Sequence, residues 1–389
     1  MSHDTSASAA FDEELGSSSP AAGHDQAVAE QGARGGRRMT VAATTAAVLA
    51  TAIGVGAYFG TTGHGAAATH HTAGLAAASG TGGTGYEVYV AAAGGGEVVS
   101  LNSATGTAGT TYSTDTAMGV ALAPNDQTIY VADTGQYGVL AVNLATKAST
   151  TIHVGAYPQD VAVSPDGSTV YATITGGDTG IGGSNQVAVI DTATNKVTKN
   201  ITVGASPRRI VLDARGDRAY VSTAQGVYVI DTTHDRVVGV VHAASDVQGL
   251  ALSSDGSTLY ATTPDEGQVL VVSTRDLRVV HSFAAGAEPW SVGVTPDGKT
   301  LYVTDTNSNS VAVLDAASGR TLTTVGVGAL PTAIGVTPDG SQVWVGNTLT
   351  GSLSVISTAT NTLAVTIPGA PGTAALDSAP TDIVFGPAS

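Results

Sequence analysis

One stretch of the sequence decides the fold: Pro296-Asp297-Gly298-Lys299-Thr300-Leu301-Tyr302-Val303-Thr304-Asp305. Proline presets φ for a turn and glycine supplies a positive φ, so Pro-Asp-Gly before an apolar alternation predicts a hairpin turn leading into a β-strand. An aromatic residue recurs in the slot of Tyr302 at successive spacings of 41, 41, 49, 40, 42 and 42 residues, which indicates one repeated unit. The residues in this slot are Tyr89, Tyr130, Tyr171, Tyr220, Tyr260, Tyr302 and Trp344.

Further strands follow each aromatic strand. A second apolar run, closed by a polar residue that can cap a turn, covers residues 98–102, 139–143, 187–191, 227–231, 269–273, 311–315 and 353–357. Another strand comes next, as in residues 196–203 and 320–327. Each repeat of about 42 residues therefore holds four short strands, which is the blade of a β-propeller.

The number of blades follows from the first strand of each repeat. These strands are expected to begin at Met118, Gln159, Arg208, Gln248, Trp290, Thr332 and Thr381. The last, residues 380–385, has no aromatic strand after it, whereas the first aromatic strand, residues 86–91, has no strand before it. We therefore predict an all-β, seven-bladed propeller over residues 85–389, closed when the C-terminal strand completes the N-terminal blade. Closure pairs the otherwise exposed edges of the first and last strands, and we expect a monomer.

Two of these segments carry a family resemblance. Tyr302-Val303-Thr304-Asp305 and Trp344-Val345-Gly346-Asn347, each preceded by Pro-Asp-Gly, resemble the YVTN repeat of surface-layer-type β-propellers. The segment Val189-Ile190-Asp191-Thr192-Ala193-Thr194-Asn195-Lys196-Val197 is similar to the next strand and turn of that repeat. The resemblance implies a propeller that works outside the cytoplasm, and it implies no particular chemistry, since fold does not fix function.

The residues before the repeats divide into three zones. Residues 1–38 are rich in Ser, Ala, Gly and acidic residues without a hydrophobic period, which predicts a disordered cytoplasmic tail. Residues 39–63 are 25 residues without a charge, long enough to cross a hydrocarbon core of about 30 Å. Arg34, Arg37 and Arg38 precede this run and predict that the tail lies inside and the propeller outside. Residues 64–84 form a flexible linker whose histidines we read as solvated.

Two export hypotheses stay open for the apolar run. An uncleaved signal anchor would give a single-pass protein of the cell membrane, and cleavage of a signal sequence would give a secreted one. Arg37-Arg38 suits twin-arginine export, whereas Met39-Thr40-Val41 lacks the usual Phe-Leu, so the general route is also open.

Composition excludes several functions. The chain has no cysteine, so a disulfide scaffold, a thiolate metal site and a cysteine nucleophile are all impossible. The formal net charge of −16 excludes a general nucleic-acid binder, which needs a basic surface to displace counterions. Neither a bound metal nor another cofactor is expected: the propeller histidines fall on predicted outermost strands or in a turn, so they cannot converge as copper ligands.

The candidate binding site lies where the innermost strands begin. The blade-to-blade connections and the loops between second and third strands lie on this side and vary in length, as at residues 175–185 and 368–379. Around the channel mouth we expect charged, polar and aromatic side chains able to hold a polar ligand, with Trp290 as a stacking platform and Arg208 pairing an anion. The candidates are Asp160, Arg208, Arg209, Gln248, Glu288, Trp290 and Asp382. The alternative is that Asp160 and Arg209, on neighbouring blades, pair only with each other.

These features predict a non-catalytic binding or scaffolding module, displayed outside the cytoplasm, whose partner is a small polar ligand or a cell-envelope protein. The alternative is an enzyme of the lactonase or lyase type acting on a small polar substrate at the channel mouth. That chemistry needs a general base, and Glu288 is the only glutamate well placed for it. A structural protein that binds wall polysaccharide is a third hypothesis, weakened by an aromatic content of only 5%.

Overall fold

The computed structural model describes residues 85–176, 185–369 and 379–387. Within these ranges the only helical element is a three-residue 3₁₀ turn, Pro264–Glu266. This part of the chain therefore contains no helix long and apolar enough to cross a membrane. The predicted tail, apolar span and linker (residues 1–84) lie outside the described residues, as do most of the two enlarged loops, at residues 177–184 and 370–378.

The Pro-Asp-Gly segments form the predicted hairpin turns. In the turn at Pro165, Gly167 has φ +75°, a conformation that side-chain-bearing residues rarely adopt. The Asp166 carboxylate accepts hydrogen bonds from the Ser164 hydroxyl at 2.6 Å and the Ser168 N–H at 3.0 Å. The Ser164 hydroxyl is the main cause that lowers the pKa of Asp166 to about 2, so this side chain is ionised at neutral pH.

Twenty-eight strands are assigned in the described residues, and they form seven four-stranded antiparallel sheets. The innermost strands are β4 (Ala117–Leu122), β8 (Pro158–Val163), β12 (Ile210–Leu212), β16 (Leu250–Leu252), β20 (Pro289–Val294), β24 (Pro331–Val336) and β28 (Pro380–Gly386). The second strands are β1 (Glu87–Ala92), β5 (Thr128–Asp133), β9 (Thr169–Ile174), β13 (Arg218–Thr223), β17 (Thr258–Thr263), β21 (Thr300–Asp305) and β25 (Gln342–Asn347). The third strands are β2 (Glu97–Asn102), β6 (Gly138–Asn143), β10 (Gln186–Asp191), β14 (Gly226–Asp231), β18 (Gln268–Ser273), β22 (Ser310–Asp315) and β26 (Ser352–Ser357). The outermost strands are β3 (Ala108–Ser113), β7 (Ser149–His153), β11 (Lys196–Thr202), β15 (Arg236–His242), β19 (Arg278–Ala284), β23 (Thr321–Gly326) and β27 (Thr362–Ile367).

The predicted closure is confirmed. The first sheet has the strand order β28-β1-β2-β3, and β28 runs antiparallel to β1 with Val384 opposite Tyr89. The innermost strands contact one another in a complete ring, in the order β28, β4, β8, β12, β16, β20, β24 and back to β28. We number the blades 1 to 7 in this order, so that β28 belongs to blade 1.

The core consists of seven apolar clusters, one between each pair of neighbouring blades. The aromatic slot supplies large side chains to these clusters, and all seven of its members are buried. Trp344 is fully buried opposite Gly335 of the innermost strand, and Tyr302 lies opposite Gly293. A small residue opposite a large one lets neighbouring blades pack closely around the axis.

The propeller has two unlike faces. The connection face is the side where the innermost strands begin, and it carries the blade-to-blade connections and the turns between second and third strands. The turn face is the opposite side, with the turns between innermost and second strands and those between third and outermost strands. Both definitions follow from the antiparallel strand order.

The starts of the innermost strands differ from the prediction: five begin one residue earlier, and two begin later. The innermost strands of blades 4 and 5 begin at Ile210 and Leu250, two residues after the predicted starts at Arg208 and Gln248. At these positions a hydroxyl group of the second strand accepts a hydrogen bond from a backbone N–H group of the innermost strand or the segment before it. Ser222 accepts the bond from Arg209, and Thr262 accepts it from Gly249. Innermost strands of other blades carry a register shift at the same place, as between Pro158 and Asp160.

Candidate functional site

The third position of each innermost strand, or of the segment leading into it, forms what we call the third-position ring. Its members, from blade 1 to blade 7, are Asp382, Gly119, Asp160, Arg209, Gly249, Ser291 and Ala333. Three members are charged and the other four are small. A Cβ atom added at Gly119 would lie 2.5 Å from Oδ1 of Asp160. The small residues therefore leave room for the three charged side chains.

Arg209 joins both aspartates across the ring. Its Nη1 lies 2.9 Å from Oδ1 of Asp382 and 3.6 Å from Oδ1 of Asp160, and its Nη2 donates to the Thr381 carbonyl at 2.9 Å. Asp160 and Arg209 come from neighbouring blades, whereas Asp382 belongs to blade 1. The pairing of Asp160 with Arg209 that the sequence allowed is thus present, with a second carboxylate added.

Each of the two aspartates also ties its blade to the next one. Oδ2 of Asp160 accepts the N–H of Ile210 at 2.9 Å, and Oδ2 of Asp382 accepts the N–H of Val120 at 3.0 Å. Oδ1 of Asp160 in addition accepts the N–H of Val161 at 2.9 Å. The carboxylates therefore satisfy buried backbone donors as well as the guanidinium.

Charge in the ring is out of balance, because two carboxylates face one cation. Burial raises the pKa of Asp160 to about 7, against the opposing effect of Arg209 and with a further rise from Asp382. Burial also works against the charge of Arg209, but the carboxylates of Asp382 and Asp160 outweigh it and raise the pKa of the guanidinium. Arg209 therefore stays charged, whereas the proton of Asp160 exchanges near neutral pH.

Hydroxyl groups on second strands link neighbouring blades beside the ring. Thr173 donates to the Arg208 carbonyl at 2.7 Å, Ser222 to the Gln248 carbonyl at 3.0 Å, and Thr262 to the Trp290 carbonyl at 2.7 Å. Three of the candidate residues, Arg208, Gln248 and Trp290, thus have their carbonyl groups fixed by the scaffold. Sequence reasoning missed these links, although Thr or Ser in one repeat slot was the available signal.

The remaining candidates lie on the rim of the connection face. Arg208 pairs with Asp246, with Nη2 to Oδ2 at 3.3 Å, and Gln248 donates to the same oxygen at 2.9 Å. Nε of Arg208 and Oδ1 of Asp246 are buried without a hydrogen-bond partner. Trp290 and Glu288 are half-buried, and no hydrogen bond to the Glu288 carboxylate is found within the described ranges.

Asp246 is the rim residue that the sequence prediction missed. It precedes the innermost strand of blade 5 in the repeat slot that Glu288 occupies in blade 6. Comparing those two slots would have found it. The structure thus separates the candidates into a ring group (Asp160, Arg209 and Asp382) and a rim group (Arg208, Gln248, Glu288 and Trp290). A ligand-binding role for either group stays a prediction.

Two further aspartates anchor the connection face. Asp305 accepts N–H groups from Ala287 and Glu288 of the preceding connection and from Asn307 and Ser308 of its own turn. Asp133 makes the equivalent four bonds in blade 2. In both blades this aspartate therefore caps its own turn and holds the preceding connection. Asn347 differs, because its amide donates to Ser352 and Ser354 instead.

A channel cavity of about 380 Å³ begins at the third-position ring and extends toward the turn face. Asp160, Arg209 and Asp382 line its inner end. Its walls are aliphatic and aromatic side chains from the later positions of the innermost strands, among them Leu122, Val163, Val211, Ile334, Val384 and Phe385. The residues at the third and fourth positions are mostly buried, and those at the sixth are half-buried, so the channel is narrow at the ring and more open toward the turn face.

Comparison with known proteins agrees with the fold. No protein-family model matches the chain. The Seven-bladed beta-propeller protein Rv1057 of Mycobacterium tuberculosis is 36% identical over 85 residues, which is 21% of this chain and 22% of that protein. The chain thus matches about a fifth of the length of this curated relative.

Solved structures resemble the chain over a larger part of its length. A chain of Kuenenia stuttgartiensis hydrazine synthase has a TM-score of 0.59 at 21% identity, covering 68% of this chain and 90% of that one. A chain of the mitotic checkpoint complex has a TM-score of 0.58 at 18% identity, covering 68% and 82%. At these identities the likeness concerns the fold alone.

Proposed function

We propose that the chain is an extracytoplasmic propeller of the YVTN-repeat type that binds a partner through its connection face without catalysis. Residues 39–63 hold it in the membrane, residues 1–38 form a cytoplasmic tail, and residues 64–84 act as a linker. The uncharged run after Arg34, Arg37 and Arg38 supports this orientation. The Pro-Asp-Gly and Tyr302-Val303-Thr304-Asp305 segments support the repeat type.

The observation that carries the binding role is the charge of the connection face. Its only basic residues in the described ranges are Arg208 and Arg209, and both are paired with aspartates of the same face. Exposed or half-buried acidic side chains remain there without a basic partner among the described residues, namely Asp115, Asp265, Glu266 and Glu288. The described lysines all lie on outermost strands or on the turn face.

This pattern favours a partner with a cationic surface. Like charges on one face repel one another, and an oppositely charged partner relieves that repulsion and is steered toward the face. A small anion at the channel mouth would instead have to displace Asp246 from Arg208, or Asp160 and Asp382 from Arg209. The geometry therefore supports a cationic region of a cell-envelope protein better than a small anionic ligand.

The enzyme alternative has less support. A lactonase- or lyase-like reaction needs a general base that is oriented by a neighbour. Asp160 is committed to Arg209 and to two backbone N–H groups, and no residue in the described ranges is seen to orient Glu288.

The binding proposal is tested by charge reversal on the full-length protein in detergent. We expect a basic envelope protein to be captured at low salt and released at high salt, because exposed charges are screened. Asp265→Lys with Glu266→Lys should abolish the capture. The matched control, Asp217→Lys with Asp276→Lys on the turn face, changes the net charge equally and should retain it. Equal capture by both double variants would contradict the proposal.

The location is tested separately in intact cells with a protease that cannot cross the membrane. Cleavage within the propeller, with protection of a tag placed before Phe11, is expected. Protection of the propeller until the cells are lysed would refute the extracytoplasmic assignment.

A further inference from the structure

The channel cavity has a polar inner end and apolar walls. Asp160 has a 7% exposed side chain, and Asp382 a 14% exposed one, at the end where the cavity meets the ring. Leu122, Val163 and Phe385 line the part nearer the turn face. A concave, mostly apolar site with a few convergent polar groups is the usual form of a small-molecule site, and about 380 Å³ lies within the usual range of volumes.

With both carboxylates ionised, the inner end is one positive charge short. Among the described residues Arg209 is the only cation that lines the cavity, and it faces two carboxylates. Each carboxylate oxygen can accept about two hydrogen bonds. Oδ2 of Asp160 and Oδ2 of Asp382 each accept one, from Ile210 and Val120. The carboxylates can therefore accept further hydrogen bonds from a donor that enters the cavity.

The entrance to the cavity on the turn face is surrounded by hairpin turns that carry acidic residues. Neighbouring hairpin turns are in contact around the channel: a Cβ at Gly167 would lie 3.5 Å from Pro124, and one at Gly216 would lie 2.7 Å from Pro165. Four of these turns place an aspartate in the same slot, namely Asp166, Asp255, Asp297 and Asp339. Hydroxyl groups such as Ser164 and Ser253 lower the pKa of Asp166 and Asp255 to about 2. Arg215 takes the slot in blade 4, and Lys299 lies 3.4 Å from Asp297, so the aspartates outnumber the cations.

We propose that this cavity binds a primary ammonium group carried on an aliphatic chain, which enters from the turn face. The ammonium pairs with the carboxylates of Asp160 and Asp382 on the cavity side of the Arg209 guanidinium, and the chain lies along Leu122, Val163 and Phe385. A free alkylamine and the lysine side chain of another protein share this chemistry. The site is distinct from the proposed partner surface, because it opens on the opposite face.

Other ligand classes fit less well. A divalent metal ion would need several oxygen ligands close together, and the Arg209 guanidinium already lies between the two carboxylates. An aliphatic carboxylate would be repelled by the acidic turns and by the excess negative charge at the inner end. The chain of a neutral alcohol would contact the apolar walls, but its hydroxyl group would not balance the charge of the carboxylates at the inner end.

The test compares probes that differ only in the head group. Calorimetric titration of the full-length protein with hexylammonium, hexanol and hexanoate should show hexylammonium binding at least tenfold more tightly than hexanol, and hexanoate not binding. A tenfold or smaller preference, or tighter binding of hexanoate, would overturn the proposal. Nα-acetyl-lysine methylamide identifies the source: binding tighter than that of hexylammonium supports a lysine side chain, and weaker binding supports a free amine.

Two variants and one control test whether the probe binds in the cavity. Val163→Trp fills the wall and should weaken hexylammonium binding at least tenfold. Val294→Trp, in the same strand position of blade 6 but not lining the cavity, should leave it unchanged. Asp160→Asn should reduce the preference for hexylammonium over hexanol at least tenfold. This variant tests the same site if Val163→Trp does not fold. Unchanged hexylammonium binding in both Val163→Trp and Asp160→Asn would overturn the assignment.

Discussion

Replacing Arg209 by methionine removes the single cation of the third-position ring while keeping a long side chain. Asp160 and Asp382 would then face each other with no partner cation, and the Thr381 carbonyl would lose its donor. Removing one partner of a buried ion pair costs about 3–5 kcal/mol, because the remaining charge stays buried and unpaired. All three side chains are less than a quarter exposed, so solvent screening reduces this value little.

The pH dependence follows from Asp160. Its pKa in the folded protein is raised by burial to about 7, above the value of about 3.9 in an unfolded chain. The unfolded state therefore binds fewer protons at this group than the folded state between these values, so the contribution of Asp160 to stability is fully present below pH 4 and is lost as the pH rises through 7. Three pKa units correspond to about 4 kcal/mol. In Arg209→Met, which lacks the opposing cation, protonation of Asp160 at pH 5 should offset much of the loss seen at pH 8.

The assay is guanidinium chloride unfolding at pH 5 and pH 8, followed by the fluorescence of Trp290 and Trp344. Arg208→Met is the matched control: the adjacent residue forms a more exposed pair with Asp246, and we expect a loss of only about 1 kcal/mol or less. The reasoning is refuted if Arg209→Met destabilises the protein no more than Arg208→Met, or by the same amount at both pH values.

Three further predictions concern stability and are checked by thermal or denaturant unfolding. Thr262→Val leaves the Gly249 N–H and the Trp290 carbonyl without their hydrogen-bond partner and should lower the free energy of unfolding by about 2–3 kcal/mol. The control Thr324→Val, on an exposed outermost strand, should change it by less than about 0.5 kcal/mol. Equal losses would contradict the role of Thr262 in linking two blades. Gly119→Ala places a methyl group 2.5 Å from Oδ1 and 2.7 Å from Cα of Asp160 and should cost about 1–3 kcal/mol, while Gly326→Ala, with no atom within 4 Å, should be neutral. A chain ending at Ala379 lacks β28 and should lose its cooperative unfolding transition in calorimetry, and an unchanged transition would show that blade 1 does not need its innermost strand.

The fold could be predicted from the sequence because each blade repeats the same local signals. One aromatic slot and one polar strand end recur seven times, and Pro-Asp-Gly precedes three of the aromatic strands while related turns precede three more. The leftover strands at the two ends can pair only with each other. The starts at Arg208 and Gln248 were wrong by two residues. The Ser222 and Thr262 hydroxyls accept the N–H groups of Arg209 and Gly249 there, and hydroxyls in the same repeat slot do so in blades 3 and 6 as well, so this slot was an available signal.

The site could be predicted only in part. Asp160 and Arg209 lie on consecutive blades, so their pairing follows from repeat alignment. The contact between Arg209 and Asp382 crosses the ring, and spacing along the chain does not give distances across it. The cavity below the ring also escaped prediction, because its volume depends on how side chains from all seven blades pack around the axis.

The closing strand has a consequence for how the protein is made. Thr381 donates a hydrogen bond to the carbonyl of Ala91, which lies 290 residues earlier in the chain. The strand β1 is therefore synthesised first, and blade 1 is completed only when β28 has been synthesised. Until residues 380–386 emerge, β1 has an open edge that can pair with other chains, and Arg209 has only one of its two carboxylates. Contacts of such long sequence separation form slowly, because the loop-closure entropy is lost before they form. The nascent propeller is therefore most exposed to aggregation just before residues 380–386 emerge, and a chaperone that covers the edge of β1 would act at that stage.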